Sequence, residues 1–181
     1  MARIPLVSTP PDDPRVKAMF DEVTGRGMKV PDLYRVMGNA PDMLRAWLDF
    51  AWPLRLNAKT TRRLRELMIL RGAQVSKTAY EWAHHVPMAL AADITQAEID
   101  AIADWRTVAT FTAAEKAAIR LAEEVTQGPA ASADCMAALQ AHFTNEEIVE
   151  LVLTASFYVC VGRFLKSMDV QLEPGYEAPR W

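Results

Sequence analysis

Apolar residues recur every three or four positions along most of the chain, which is the spacing of one face of an α-helix. The alternation of apolar and polar residues that marks a half-buried strand is nearly absent. The sequence therefore predicts an all-α protein. Helices are expected at roughly 14–24, 31–38, 41–55, 60–74, 77–91, from 95 onward, 112–127, 132–142 and 144–169.

Three of these predicted helices begin with a capping box, in which a threonine is followed three residues later by a glutamate. The pairs are Thr95 with Glu98, Thr112 with Glu115, and Thr144 with Glu147. The helix that begins near Thr144 is apolar nearly all round, as in "ELVLTASFYVCVGRFL". We expect it to be central.

Two pairs of segments resemble one another within the chain. The segment "TQAEIDAI" from Thr95 resembles "TNEEIVEL" from Thr144, and "TRRLRELMILR" from Thr61 resembles "TAAEKAAIRLA" from Thr112. These similarities predict two related helical units. Because each amphipathic unit can bury a face against another copy, the sequence also predicts a homo-oligomer.

Composition and charge narrow the class of protein. The chain has 181 residues, 51% of them apolar, which fits one domain with a sizeable core. Twenty basic and twenty-three acidic side chains are interspersed and give a net charge of −3. This balance argues against nucleic-acid and anionic-membrane partners. No signal-peptide core and no uninterrupted run of eighteen apolar residues is found, so we expect a soluble cytoplasmic protein.

The two cysteines, Cys135 and Cys160, are far apart in the sequence. They form neither a CxxC pair nor a zinc-ligand array. We expect two free, buried thiols.

The segment "YEWAHHVPMAL", residues 80–90, carries three titratable groups in an otherwise apolar helix. Glu81 and His85 are four residues apart and share one face of the helix, while His84 is rotated about 100° away. Pro87 lacks an N–H group and should bend the helix beside the histidines. One face therefore carries a carboxylate and an imidazole together, either as a site or as a tolerated surface.

The longer segment "RRLRELMILRGAQVSKTAYEWAHHVPMALAADITQAEIDAI" resembles the carboxymuconolactone decarboxylase family, whose relatives include the alkylhydroperoxidase AhpD-like proteins. The most specific features are the spacing of Glu66, Glu81 and His85 and the ending "VGRFLKSMDVQLEP". The resemblance covers about residues 40–172 and implies an AhpD-like helical bundle. It divides the chain into an N-terminal arm with the first helices (1–40), a family domain (41–172) and a C-terminal tail (173–181).

The peroxidase branch of this family is known for a glutamate, a CxxC pair and a histidine that together activate a thiol. By resemblance, Glu66 and His85 match the glutamate and the histidine, but Thr78 and Glu81 stand where the two cysteines would be. A thiol peroxidase needs a reactive thiolate with a resolving partner. The resemblance therefore implies cofactor-independent acid/base chemistry, and a thiol peroxidase is the less favoured interpretation.

Each candidate catalytic residue also has a structural interpretation. His85 is either a core histidine bonded to a carbonyl group or a proton donor, and we expect neighbouring carboxylates to raise its pKa. Glu81 either pairs with His85 as a plain helix-surface glutamate, or orients or charges the imidazole, or acts as the base itself. Glu66 either pairs with Arg62 or acts as a relay partner for His85, as the resemblance implies.

Four further residues are candidates for substrate binding. Arg163 lies within "FYVCVGRFL", where a cation on a buried helix requires a carboxylate partner or an anionic ligand. Arg71 has the same two alternatives. Thr78 can bind a ligand or cap its helix, and His84 can support the site or an interface.

Glu66, Glu81 and His85 could also ligate a divalent ion. Their spacing differs from the Glu-x-x-His of di-iron bundles, so we expect no metal and no cofactor.

The sequence and the resemblance together favour a decarboxylase-like enzyme, a lyase of aromatic-compound catabolism that acts on a small organic acid or lactone. The alternative is a family member that binds a ligand without catalysis. The resemblance implies a trimer or hexamer.

Overall fold

The structure, a computed structural model, describes residues 2–181 and within them contains nine α-helices, one short 3₁₀ helix and no strand. The prediction of an all-α fold is confirmed. The helices are α1 (Pro14–Gly25), α2 (Asp32–Met37), α3 (Pro41–Leu56), α4 (Arg62–Ser76), α5 (Ala79–Leu90), α6 (Gln96–Ala101), α7 (Ala113–Gln127), α8 (Ala133–Gln140) and α9 (Asn145–Met168), and the 3₁₀ helix is Ile102–Asp104.

Local sequence determines where several of these helices begin. All three predicted capping boxes are present, at the starts of α6, α7 and α9. In each, the threonine hydroxyl accepts from a backbone N–H of the first turn while the glutamate accepts from the threonine N–H. The N-cap of α4, Thr61, accepts from the N–H of Leu64 in the same way.

Helix α4 is the centre of the fold, because it packs against α5, α7 and α9. Its apolar residues enter three hydrophobic clusters. Ile69 joins a cluster with α1, α2, α3 and the second half of α9. Met68 faces α7, α8 and the first half of α9, and Leu67 and Leu70 pack against residues from Ala89 to Ile119. This central position matters for the site, since α4 also carries Glu66.

Helix α9 is central along its length but is not covered all round. Leu151 and Leu165 are buried, whereas Val149 is 58% exposed and Cys160 and Arg163 are exposed as well. The predictions of a buried Cys160 and a buried Arg163 are therefore wrong. Both rested on the apolar composition of α9, which does not tell which face the other helices leave open.

Helix α9 is also the one helix in residues 2–181 that is long and apolar enough to cross a membrane, by length and composition alone. Of its most apolar window, 44% is buried inside the fold. Core helices of water-soluble proteins meet the same test, so this feature is weak evidence for a membrane span. The localisation stays a prediction from the sequence.

The helices whose sequences resemble each other, α4 and α7, pack directly against one another. Both begin after a threonine N-cap, Thr61 and Thr112. Two related units, the domain limits at 40 and 172, and assembly into a homo-oligomer stay predictions.

Candidate active site

A cavity of about 80 Å³ lies between the segment before α2, α2 itself, α3, α5 and the second half of α9. Its walls are mostly apolar and aromatic. They include Tyr34, Trp47, Phe157, Tyr158 and Val161. The polar side chains that reach it are those of Arg55, Tyr80, Glu81, His84 and His85. A small apolar cavity with a few converging polar groups is the usual form of a ligand site.

His85 and Glu66 form a buried pair in the wall of this cavity. Nδ1 of His85, on α5, lies 2.7 Å from Oε2 of Glu66, on α4. The Glu66 carboxylate is fully buried. Arg62, one turn earlier on α4, forms an ion pair with Oε1 of Glu66, but the geometry of this pair does not make it a hydrogen bond. The two alternatives drawn for Glu66 from the sequence are thus both realised.

Burial and nearby charges determine the protonation states of Glu66 and His85. Burial acts to raise the pKa of Glu66, but His85, Arg62 and Arg55 together bring it below its usual value. Because the carboxylate can only accept, Nδ1 of His85 donates to it. Within residues 2–181, Nε2 of His85 has no hydrogen-bond partner.

His85 is held neutral, contrary to the expected rise of its pKa. Burial lowers the pKa of His85, Glu66 opposes this, and the cations Arg55 and Arg62 lower it further. The expected second carboxylate, Glu81, supplies no opposing negative charge when it is itself protonated. The imidazole therefore presents an unprotonated Nε2, which suits a general base rather than a proton donor.

Glu81 is a buried carboxyl group without a partner. Its side chain is 3% exposed and lines the cavity, and its Oε2 has no hydrogen bond. Burial, and then the nearby charge of Glu66, raise the pKa of Glu81 well above its usual value. Burial therefore favours the neutral, protonated form of Glu81, beside an imidazole whose neutral form is favoured as well.

Gly162 of α9 makes the space that Glu81 occupies. A Cβ atom at Gly162 would lie 3.2 Å from Oε2 of Glu81 and 2.9 Å from Oγ1 of Thr78. Thr78 is buried and its hydroxyl group shares a hydrogen bond with Ser76. Thr78 supports the wall behind Glu81 and does not itself line the cavity.

Arg55 is the cavity residue that sequence reasoning missed. It lies in the last turn of α3, and the residues four and eight positions earlier, Ala51 and Trp47, line the same cavity. The sequence pattern that could have identified Arg55 is this helical stripe, in which a cation follows two apolar residues at intervals of four.

His84 is bound by the C-terminal segment. Its Nε2 lies 2.7 Å from Oε2 of Glu173, and its ring stacks between those of Tyr80 and Tyr176. Glu173 also accepts from the hydroxyl group of Tyr80 and from the N–H of Asp32 at the start of α2. His84 thus joins α5, α2 and the C-terminal segment at one edge of the cavity.

The two arginines proposed as substrate anchors lie elsewhere. Arg71 binds Glu123, with Nε 2.7 Å from Oε2, which is its structural alternative. Arg163 points away from the cavity on the exposed side of α9. Neither guanidinium group reaches His85 or Glu81.

Cysteines and metal ligands add nothing to this cavity. Cys135 is buried against α7, where burial raises its pKa to about 11, and Cys160 is exposed on α9. In the described part of the chain no three His, Cys, Asp or Glu side chains converge in a way that could hold a metal ion. The absence of a metal and of a cofactor stays a prediction.

Part of the chain matches a known protein family. The model of the carboxymuconolactone decarboxylase family matches residues 41–124, which contain α3, α4, α5 and all of the Arg55, Glu66, Glu81 and His85 positions. Over these residues the chain is similar to the carboxymuconolactone decarboxylase family. The resemblance inferred from the sequence is confirmed. No curated protein matches the chain.

Solved structures show the fold of this chain. It matches the alkylhydroperoxidase AhpD core of an uncharacterized peroxidase-related protein from Ralstonia eutropha JMP134, with a TM-score of 0.83, 18% identity, and coverage of 96% of this chain and 93% of that one.

Two further solved structures have the same fold as this chain. The debrominase Bmp8 matches with a TM-score of 0.81, 18% identity, and coverage of 93% of this chain and 91% of that one. A peroxidase-related protein from Silicibacter sp. TM1040 matches with a TM-score of 0.81, 14% identity, and coverage of 97% and 95%. The fold is AhpD-like.

Proposed function

We propose that this chain is a cofactor-independent acid/base enzyme acting on a small organic acid or lactone, by decarboxylation or a related proton transfer. One observation carries the proposal: a neutral carboxylic acid, Glu81, and an imidazole with a free nitrogen, His85, line the same small cavity. Groups whose pKa values are pushed in opposite directions beside each other are the usual acid and base of a proton-transfer site.

The two groups have complementary parts in such a reaction. In a decarboxylation the bond between the substrate carbon and its carboxylate breaks, CO₂ leaves, and the electron pair moves into an adjacent carbonyl group. Glu81 then donates its proton to that carbon and recovers one from solvent. His85 accepts or orients a substrate proton through Nε2, while Glu66 holds its ring and tautomer.

The fold by itself does not select this reaction. The structural neighbours include a debrominase and peroxidase-related proteins, so function depends on the residues in the cavity. A thiol peroxidase is disfavoured because neither Cys135 nor Cys160 lines the cavity. Binding without catalysis is the remaining alternative.

The test is a panel of small organic acids and lactones, assayed for CO₂ release and for incorporation of solvent deuterium into recovered substrate or product. Where turnover is found, His85→Ala should reduce it about 10²- to 10⁴-fold, the usual contribution of a general acid or base. His142→Ala is the matched control, because His142 is exposed and far from the cavity, and it should leave turnover unchanged.

Two outcomes would contradict the proposal. Panel members that raise the melting temperature in the wild type and in His85→Ala, with no CO₂ release and no deuterium exchange, would support ligand binding alone. Full turnover by His85→Ala would place the chemistry elsewhere in the molecule.

A further inference from the structure

Arg55 is an unpaired cation in the wall of the cavity. Within residues 2–181 the carboxylates form ion pairs with many other basic residues, yet none lies within salt-bridge distance of Arg55. The side chain is half-buried, and its charge faces Tyr34, Tyr158 and the more distant Glu66. A guanidinium group that lines a cavity without a carboxylate partner can still form a bidentate contact with an anionic ligand.

The acceptors that surround the Arg55 guanidinium group are uncharged: the phenol of Tyr34 and the thioether of Met88. Nη2 of Arg55 lies 3.5 Å from Sδ of Met88, and Nη2 of Arg62 lies 3.3 Å from the same sulfur atom. A thioether is a weak acceptor. Arg62 also has the Glu66 carboxylate, whereas Arg55 has no carboxylate within salt-bridge distance.

The position of Arg55 is fixed by the protein around it. Its backbone carbonyl oxygen accepts from Nη2 of the buried Arg65 at 3.2 Å, which holds the last turn of α3 in place. Its guanidinium group lies 5.6 Å from the centre of the Trp52 ring, within the range of a cation–π contact. A preorganised planar fork of this kind is suited to bidentate binding of a carboxylate.

The geometry points to Arg55 as the residue that binds the carboxylate of the substrate, at the place where Met88 now meets the two arginines. This inference rests on the proposed function for its reaction, and it names the substrate class: an organic anion whose carboxylate is retained. Arg55 stabilises a negative carboxylate, whereas decarboxylation discharges one, so the group bound by Arg55 is the group that does not react. The apolar walls at Trp47 and Phe157 then hold the carbon skeleton toward Glu81 and His85.

The size of the cavity limits the ligand. Its volume of about 80 Å³ is roughly half of the approximately 150 Å³ cavity that binds benzene in an engineered protein. Propionate is small enough to serve as a probe, and propionamide has the same shape without the charge. Comparing the two isolates the contribution of the anion.

The experiment follows the methyl ¹³C signal of Met88 in the full chain during titration with sodium propionate or propionamide at constant ionic strength. Met88→Leu assigns this signal among those of the nine methionines. Propionate should shift the signal and bind at least about tenfold more tightly than propionamide, as expected for a charge-assisted bidentate contact. Arg55→Gln should remove that preference, and Arg55→Lys should restore part of it.

Arg163→Gln is the matched control, since Arg163 is exposed outside the cavity, and it should bind propionate like the wild type. Far-UV circular dichroism and melting temperature check that Arg55→Gln is folded, and Arg55→Lys keeps the test valid if it is not. Equal binding of the acid and the amide, unchanged propionate binding in Arg55→Gln, or no Met88 shift with propionate would each overturn the inference.

The results separate this inference from the proposed function. If Arg55→Gln loses propionate binding while His85→Ala keeps full turnover, Arg55 still anchors anions and the acid/base proposal fails. If His85→Ala is inactive and Arg55→Gln binds propionate and turns over substrate with an unchanged KM, the acid/base proposal stands and the anchor is wrong.

Discussion

Two buried glutamates of this protein have opposite surroundings. Glu123, on α7, receives hydrogen bonds from Arg71, Arg106 and the indole N–H of Trp105. Glu81, on α5, is equally buried, at 3% against 4% exposed, and its Oε2 receives none. Burial acts to raise the pKa of both, but the three donors bring that of Glu123 to about 2, whereas the pKa of Glu81 ends well above its usual value.

Under the proposed function, this difference separates a structural carboxylate, Glu123, from a proton donor, Glu81. A carboxylate that is kept ionised by three donors stabilises the fold and cannot supply a proton at neutral pH. A carboxyl group left without donors is less favourable for stability but keeps a proton available to a ligand in the cavity. Substitution of each glutamate by glutamine tests whether the two differ in this way.

The largest expected effect is that of Glu81→Gln on turnover. The amide keeps the shape and neutrality of the protonated carboxyl group but has no acidic proton, so activity on the true substrate should fall about 10²- to 10⁴-fold. Glu123→Gln should leave kcat within a few-fold when both variants are assayed as folded protein. Equal activity losses in the two variants would remove the distinction.

For the free energy of unfolding, Glu123→Gln should have a larger effect than Glu81→Gln. Glu123→Gln leaves Arg71 without its carboxylate partner, and breaking such a buried pair costs about 3 kcal/mol. Glu81→Gln should change the free energy of unfolding at pH 7 by less than about 1 kcal/mol or increase it, because no ion pair is lost. Urea unfolding monitored by circular dichroism measures both, and a strongly destabilised Glu81→Gln would show that Glu81 is ionised and paired.

The pH dependence of stability should have opposite signs for the two residues. Glu81 stays protonated in the folded state at pH values where the unfolded chain has lost this proton, so its contribution falls as the pH rises above the usual value of 4.5. Glu123, with a folded pKa of about 2, contributes fully above 4.5 and loses its contribution as the pH falls toward 2.

Urea titrations from pH 3 to pH 8 on the wild type and the two glutamine variants measure these slopes, which cannot exceed about 1.4 kcal/mol per pH unit for one group. The advantage of Glu81→Gln over the wild type should grow with pH. The disadvantage of Glu123→Gln should shrink in acid. Parallel curves for all three proteins would contradict the assigned protonation states.

A smaller effect is expected from the glycine beside Glu81. In Gly162→Ala the new methyl group must displace the hydroxyl group of Thr78 or the carboxyl group of Glu81, which should cost about 1–2 kcal/mol and reduce turnover. Gly72→Ala on α4 meets Thr126 only at 3.4 Å, an ordinary contact, and should be neutral or stabilising through helix propensity. Identical melting temperatures for the two variants would mean that the space at Gly162 is not needed.

The smallest effect should come from the thiols. Cys160→Ser and Cys135→Ala should each leave turnover within about threefold, because neither sulfur atom lines the cavity. The protein should also show negligible hydroperoxide reductase activity. Peroxide turnover that disappears in Cys160→Ser would reverse this interpretation.

Features that depend on neighbouring residues in the sequence could be predicted well. The three capping boxes and most helix ends follow from local hydrogen bonds and from the 3.6-residue period, and the structure confirms them. The pairing of Glu66 with His85 was implied by the family spacing, which carries information about tertiary contacts that a single sequence lacks.

Features that depend on contacts between distant segments could not be predicted from the sequence. Arg55 becomes significant only because α2, α5 and α9 meet around it. Arg163 was misjudged since an apolar helix does not reveal its uncovered face. The pKa of His85 was predicted with the wrong sign because burial lowers it more than Glu66 raises it, and the extent of burial depends on how distant helices pack around the ring.

The central position of α4 has a consequence for the motions of the protein. Because its apolar residues belong to all three hydrophobic clusters, local opening of any one cluster leaves α4 held by the other two. Its amide hydrogens should therefore exchange with solvent only through global unfolding, as those of the most stable elements do. Glu66 lies on this slowly exchanging helix, while α2 at the other side of the cavity spans only Asp32–Met37 and belongs to one cluster. The partner of His85 is thus held by the most stable part of the fold, whatever opens locally around the cavity.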